Sequence, residues 1–85
     1  MTFLLIIGII FHNDDMSQSA RWLISKNVNA LRQKAGLRRE ELSLALGFDN
    51  SYISKLEKGN VNITIDRLQM IADYFNVDTY KLLSK

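Results

Sequence analysis

The chain has 85 residues, no cysteine, no proline and a formal net charge of +2, which predicts one small domain without disulfides or a cysteine-based metal site. An apolar fraction of 47% is ordinary for a globular protein and predicts a single modest core. The middle of the chain is basic: residues 25–59 carry seven basic and four acidic residues, whereas residues 1–24 have a net charge of −1 and residues 60–85 balance. This distribution suits phosphate attraction in the middle segment.

Residues 3–11, FLLIIGIIF, are almost purely apolar. They are too few to cross a bilayer, which needs about 20 residues, and they lack the flanks of a secretory signal. Three interpretations stay open: an ordered strand or arm, a weak membrane-surface anchor, or an upstream extension with the true start at Met16. The β-branched residues and the following HNDD favour a strand. We divide the chain into an apolar extension, 1–16, and a domain, 17–85.

The first helix is predicted over residues 17–35. Ser17 or Ser19 can cap its start, and Gly36 is expected to end it. Spacings of three and four residues between its apolar positions define one helical face, which consists of Ala20, Ile24, Val28, Leu31 and Ala35.

Residues 37–59, LRREELSLALGFDNSYISKLEKG, predict two short helices around a glycine. The second helix covers about 38–46, has Leu42, Ala45 and Leu46 on its inner face and ends at Gly47. Asp49 is the expected N-cap of a third helix over about 50–58. The third helix exposes small polar and basic side chains, which is the layout of a helix-turn-helix whose second helix enters the DNA major groove.

The C-terminal part predicts two further helices. Thr64 is expected to cap the fourth helix, which runs to about Phe75, and Asn76 can take the left-handed position after it. Its inner face is predicted to hold Leu68, Ile71, Ala72 and Phe75. Asp78 is expected to cap a last short helix to about Leu83, and Leu82 and Leu83 suit an exposed apolar dimer contact.

Residues 24–83 resemble the Cro and phage-repressor type of helix-turn-helix proteins, also called XRE-type regulators. The resemblance is carried by Leu31-Arg32, Gly36-Leu37, Glu40-Glu41-Leu42, Leu46-Gly47-Phe48 and above all YISKLEKG at 52–59. It implies an all-α, five-helix, lambda-repressor-like domain that binds palindromic operators as a homodimer. The apolar N-terminal arm or strand lies outside the resemblance.

The resemblance also implies individual roles. Asn50, Ser51 and Lys55 would face the major groove, where asparagine can hydrogen-bond adenine and lysine can hydrogen-bond guanine. Tyr52 would point toward the groove wall or the phosphates. Arg32 and Glu57 match a family ion pair that ties the first helix to the end of the third. The complete set of expected DNA-binding residues is Arg38, Arg39, Asn50, Ser51, Tyr52, Lys55, Lys58 and Asn60.

Arg38 and Arg39 depart from the family pattern, which usually has threonine and then glutamine at these positions. Two arginines in a first turn oppose the helix dipole and replace the N-cap side chain. This local cost suggests another use for the charge, and phosphate contact is the simplest. Glu40 and Glu41 are interpreted as helix-start anions that partly offset the arginines.

The remaining residue types provide no catalytic or metal-binding pattern. His12 is the only histidine, and no nucleophile–base pair or phosphate loop is visible in the sequence. Trp22 is interpreted as a packing or dimer residue. We therefore expect no enzymatic activity, no cofactor, no metal and no small-molecule ligand.

The predicted function is sequence-specific binding of double-stranded DNA by a small transcriptional regulator, a repressor or autoregulator similar to phage repressors and restriction-modification controllers. The alternative is an antitoxin or protein-interaction module, with a toxin or another protein as partner and DNA binding secondary. The absence of cysteine suits a reducing cytoplasm, which is the expected location, and membrane binding is disfavoured.

Overall fold

A computed structural model describes residues 20–85, which are built from helices, turns and loops. This part contains four α-helices: α1 over residues 20–34, α2 over Arg39–Ala45, α3 over Tyr52–Glu57 and α4 over Ile65–Tyr74. A 3-10 helix, Thr79–Leu83, follows α4. For residues 20–85 the predicted all-α class is confirmed. The apolar segment 3–11 and the proposed caps Ser17 and Ser19 lie outside the described residues.

The described residues hold four α-helices rather than five, because the last predicted helix is a 3-10 turn. The amide of Lys81 donates to the carbonyl of Asp78 at 2.9 Å, and that of Ser84 donates to the carbonyl of Lys81 at 3.3 Å. These bonds span three residues, as in a 3-10 helix. Leu82 is fully buried, so its predicted dimer contact is wrong, whereas Leu83 is exposed.

One core joins all the helices. It contains Ile24 and Val28 of α1, Leu42 of α2, Ile53 and Leu56 of α3, Leu68, Ile71 and Ala72 of α4, and Leu82. The predicted inner faces of the first and fourth helices are therefore largely confirmed. Ala35 and Ala45 are exposed, so assigning them to inner faces was wrong: Ala35 lies in the turn after α1, and Ser43 is buried on α2 instead.

A glycine and a buried serine hold α2 and α3 in the helix-turn-helix arrangement. Gly47 follows α2 with a φ of 75°, a left-handed conformation that costs other residues more than glycine. The hydroxyl of Ser43 accepts a hydrogen bond from the amide of Ile53 at 3.0 Å. A side chain of α2 thus accepts a hydrogen bond from a backbone amide in the first turn of α3. The side chain of Ser51, the N-cap residue of α3, makes no such capping bond.

Helix α3 begins two residues later than predicted, and Asp49 is not its N-cap. The carboxylate of Asp49 instead accepts hydrogen bonds from the hydroxyl of Ser51 at 2.6 Å and from the amide of Ser51 at 3.4 Å. The short side chain of Asp49 thereby stabilises a turn over residues 50–51. As a result, Asn50 and Ser51 project from the turn before α3 rather than from the helix itself.

The ends of α4 match the prediction. The hydroxyl of Thr64 accepts from the amide of Arg67 at 3.2 Å, which is the expected N-cap bond. Asn76 follows α4 with a φ of 56°, which is the left-handed conformation expected after the end of this helix. Within residues 20–85, no helix combines the length and the apolar character that crossing a membrane requires.

Candidate nucleic-acid interface

The turn before α3 and one side of α3 present polar and basic residues to solvent. Asn50, Lys55, Lys58 and Asn60 are exposed, and Ser51 is half-buried. The opposite side of α3 holds Ile53 and Leu56 in the core. The helix therefore has one face fixed by packing and one face available to a partner.

Tyr52 departs from the sequence prediction because its ring belongs to the core. Its exposed fraction is 9%, and its ring centre lies 4.8 Å from that of Phe48. The guanidinium of Arg67 covers both rings, 4.7 Å from the centre of Tyr52 and 4.8 Å from that of Phe48. The prediction that Tyr52 points toward DNA is therefore wrong: burial against Phe48 and Arg67 turns this side chain inward.

Arg38 and Arg39 lie at the start of α2, next to the turn before α3. Arg38 occupies the N-cap position, and its amide donates to the carboxylate of Glu41 at 2.8 Å. The side chain of Glu41, at the third position of the helix, thus provides an acceptor for the backbone amide of the N-cap residue, which is one of the two bonds of a capping box. The bond lowers the pKa of Glu41 below its ordinary value. The helix start is thus stabilised without the missing N-cap side chain.

An open cleft of about 530 Å³ separates the start of α2 from the turn before α3. Its lining combines three arginines, one glutamate and three small polar side chains, namely Arg32, Arg38, Arg39, Glu40, Asn50, Ser51 and Ser54. The structure thus brings together four of the expected DNA-binding residues, Arg38, Arg39, Asn50 and Ser51. Lys55, Lys58 and Asn60 lie beyond the cleft, further along α3 and the turn after it.

A buried carboxylate connects α1, α2 and α3 below this surface. Arg32 donates to Glu57 through Nε, 2.7 Å from Oε2, and through Nη2, 3.2 Å from Oε1. Arg39 donates through Nε to Oε1 at 2.9 Å, and Asn29 donates through Nδ2 to the same oxygen at 2.8 Å. The side chain of Glu57 is only 4% exposed. One carboxylate therefore pairs with two guanidinium groups, which leaves a net charge of +1 in this cluster.

The pKa of Glu57 reflects two opposing effects. Burial raises it, but the hydrogen bonds from Arg32, Asn29 and Arg39 outweigh burial and lower the pKa below its ordinary value of 4.5. Glu57 is therefore ionised at neutral pH, and its charge holds the guanidinium of Arg39 at the edge of the cleft.

Three contacts of this region were not predicted from the sequence. The prediction paired Glu57 with Arg32 alone and missed Asn29 and Arg39. It also missed Ser43, which joins α2 to α3. A polar residue at an inner helix position, such as Ser43 next to Leu42, is the signal that could have indicated a buried hydrogen bond.

The family assignment follows from comparison with known proteins. The family profile described as helix-turn-helix matches residues 28–82, which include α2, α3 and α4 completely. The chain therefore belongs to the XRE-type helix-turn-helix family of DNA-binding transcriptional regulators.

Three curated proteins are similar to this chain. An uncharacterized HTH-type transcriptional regulator of Sinorhizobium fredii, y4dJ, is 34% identical over 64 residues, which cover 75% of this chain and 83% of that protein. A hypothetical transcription factor of Neisseria meningitidis is 30% identical, over 78% of this chain and 62% of its own length. The HTH-type transcriptional regulator DdrOP3 of Deinococcus deserti is 30% identical, over 71% of this chain and 46% of its own length.

A solved structure supports the same fold. The crystal structure of the hypothetical transcription factor NHTF from Neisseria superposes with a TM-score of 0.75 at 29% sequence identity, covering 80% of this chain and 78% of that chain. The described residues thus share the fold of this solved structure.

Proposed function

We propose that this chain binds a palindromic DNA operator as a homodimer and represses transcription, including that of its own gene. The observation that carries the proposal is the polar face of the helix-turn-helix, where Asn50, Ser51 and Lys55 are accessible beside the arginines of α2. Family membership supports double-stranded DNA as the partner.

Base readout is assigned to the turn before α3 and to α3 itself. Asn50 can donate to and accept from adenine, and Lys55 can donate to guanine in the major groove. Ser51 is small enough to bond either kind of base edge. Because Asn50 and Ser51 precede the helix, we infer that the N-terminal end of α3 approaches the base edges.

Phosphate contacts are assigned to Arg38, Arg39, Lys58 and Asn60. These residues lie on both sides of the proposed reading positions, as the two strands of a duplex would require. Such contacts provide much of the affinity but little sequence preference. Tyr52 has no part in this proposal, because its ring is buried.

A dimer would place two copies of α3 in successive major grooves, about 34 Å apart on one face of the DNA. Exposed apolar side chains near the C-terminus, Tyr80 at 62% and Leu83 at 41% exposure, suit the contact between subunits. Symmetric pairing of this kind explains why a palindromic operator is expected.

The first test is fluorescence anisotropy of the purified protein with the labelled DNA upstream of its own gene, at about 0.15 M salt, with random duplex as competitor. Binding that survives the competitor supports an autoregulatory repressor. Binding that vanishes would instead favour the alternative, in which a protein is the main partner.

The reading residues are tested by substitution. Asn50→Ala and Lys55→Ala should each weaken operator binding by about 1–3 kcal/mol while leaving the thermal unfolding temperature unchanged. Lys34→Ala removes an exposed lysine from the last turn of α1, outside the cleft, and is the matched control. Wild-type binding by both Asn50→Ala and Lys55→Ala would show that α3 does not read the operator.

A further inference from the structure

A second cleft lies on the other side of Glu57, between α1 and the end of α3. Its volume is about 560 Å³, and its lining residues are Arg21, Trp22, Ser25, Lys26, Asn29, Glu57, Lys58 and Gly59. We call it the α1 cleft. Apart from Lys58, no expected DNA-binding residue lies in it, so it extends beyond the surface described above.

Trp22 is the most unusual residue of the α1 cleft. Its side chain is 57% exposed, so it does not pack in the core, whereas the sequence-based alternative of a dimer residue stays a prediction. The Nζ of Lys26 lies 4.6 Å from the centre of its ring, a distance at which a cation and an aromatic face attract each other. The pair therefore presents an amphipathic ring and a positioned ammonium group to the same partner.

The charge of the α1 cleft is strongly positive. Arg21, Lys26 and Lys58 contribute cations. The side chain of Arg21 donates to the neutral amide oxygen of Asn62, and no carboxylate within residues 20–85 forms an ion pair with it. Among the described residues that line the cleft, Glu57 supplies the carboxylate, but its oxygens already accept from Arg32, Arg39 and Asn29. An anionic partner is therefore the chemical complement of this surface.

The α1 cleft lies next to the proposed DNA-binding face. Asn29 on the cleft side and Arg39 on the α2 side donate to the same oxygen of Glu57. Lys58 follows directly after α3 and lines the cleft. A duplex held by α3 would consequently run next to this surface, and its phosphates are the nearest available polyanion.

We propose that the α1 cleft contacts the sugar-phosphate backbone of DNA that flanks the operator half-site. Lys26 and Lys58 bind phosphates, and the ring of Trp22 packs against a deoxyribose. The inference rests on the proposed function and extends the DNA footprint from the helix-turn-helix onto α1. The contacts are sequence-independent, since no base edge is involved.

Trp22 is the only tryptophan in the chain, so tryptophan emission reports on this cleft alone. The experiment titrates the full chain with labelled upstream duplex and records anisotropy of the DNA and emission of Trp22 together. A duplex that keeps both operator half-sites but is trimmed of its outer flanks is the comparison. We expect the emission to change at the same DNA concentrations as the anisotropy with the long duplex, and to change little with the trimmed one.

Salt dependence provides the second readout. Lys26→Ala should reduce the slope of log Kd against log salt concentration by about 0.9, the value for one lost phosphate contact. Lys34→Ala is the matched control, because Lys34 is an exposed lysine of the same helix, α1, and lines neither of the two clefts. Its slope should equal that of the wild type.

The outcomes separate the two proposals. Normal anisotropy with silent Trp22 emission, or with an unchanged slope for Lys26→Ala, overturns the α1-cleft contact and leaves DNA binding intact. If Trp22 emission depends on protein concentration but does not change when DNA is added, the α1-cleft contact with DNA is overturned in favour of a contact between two copies of the chain. Absence of any DNA binding in the anisotropy channel would overturn the proposed function itself, and the cleft proposal with it.

Discussion

The Nε of Arg39 donates to Oε1 of Glu57 at 2.9 Å, which joins the first residue of α2 to the last residue of α3. Arg32 approaches the same carboxylate from α1 at 2.7 Å. The two arginines differ in burial: the side chain of Arg32 is 10% exposed and that of Arg39 is 54% exposed. This difference predicts separate roles, with Arg32 stabilising the fold and Arg39 remaining available to a partner.

The first prediction compares the two arginines by stability. Arg32→Met should reduce the free energy of unfolding by about 3 kcal/mol, because it leaves a buried carboxylate without its main partner. Arg39→Met should cost less than about 1 kcal/mol, since partly exposed ion pairs contribute little. Urea denaturation measures both, with Arg38→Met as the exposed control. Equal losses for Arg32 and Arg39 would contradict the assignment.

The second prediction concerns pH. Because the pKa of Glu57 is lowered in the folded state, the unfolded chain binds more protons as the solution becomes acidic. The contribution of Glu57 to stability is therefore complete above its unfolded pKa of about 4.5 and is lost as pH falls through the folded pKa. Glu57→Gln should be less stable at neutral pH but show a weaker loss of unfolding free energy between about pH 5 and pH 3. The same acid dependence in the Gln variant would exclude Glu57 as its source.

The third prediction concerns Arg38, whose side chain is 84% exposed and lies 3.4 Å from Glu41. As a phosphate contact it should act on every DNA sequence alike. Arg38→Ala is expected to weaken operator and random duplex equally and to reduce the salt slope by about 0.9. Anisotropy titrations at several salt concentrations measure this. A loss confined to the operator would mean that Arg38 reads bases.

The sequence predicted those features that depend on local patterns. Helical periodicity identified the inner residues of α1 and α4, and the short side chain of Thr64 and the left-handed tolerance of Asn76 marked the ends of α4. Two features depended instead on tertiary packing. The ring of Tyr52 is buried because Phe48 and Arg67 cover it. Arg39 forms an ion pair with Glu57 because α2 and α3 pack together. Residue spacing along one helix contains no information about such contacts between helices.

The fourth prediction concerns Ser43, a fully buried residue whose hydroxyl accepts from the amide of Ile53 at 3.0 Å. Ser43→Ala should reduce the free energy of unfolding by about 1–3 kcal/mol, because a buried amide then has no partner. Thermal or urea unfolding measures the loss. Ser54→Ala, in the same helix-turn-helix but half-buried at the surface, should change stability less. Wild-type stability of Ser43→Ala would mean that Ile53 finds another acceptor.

The fifth prediction uses the hydroxyl of Tyr52, which is buried and has no hydrogen-bond partner within residues 20–85. A buried polar group without a partner carries a desolvation cost, so its removal should not destabilise the protein. Tyr52→Phe keeps the ring against Phe48 and Arg67 and should match the wild-type free energy of unfolding or exceed it by up to about 1 kcal/mol. Tyr52→Ala should cost about 3–5 kcal/mol, because it leaves a cavity in the core. Operator affinity measured for Tyr52→Phe should equal that of the wild type, and a clear loss would reinstate a DNA contact for the hydroxyl.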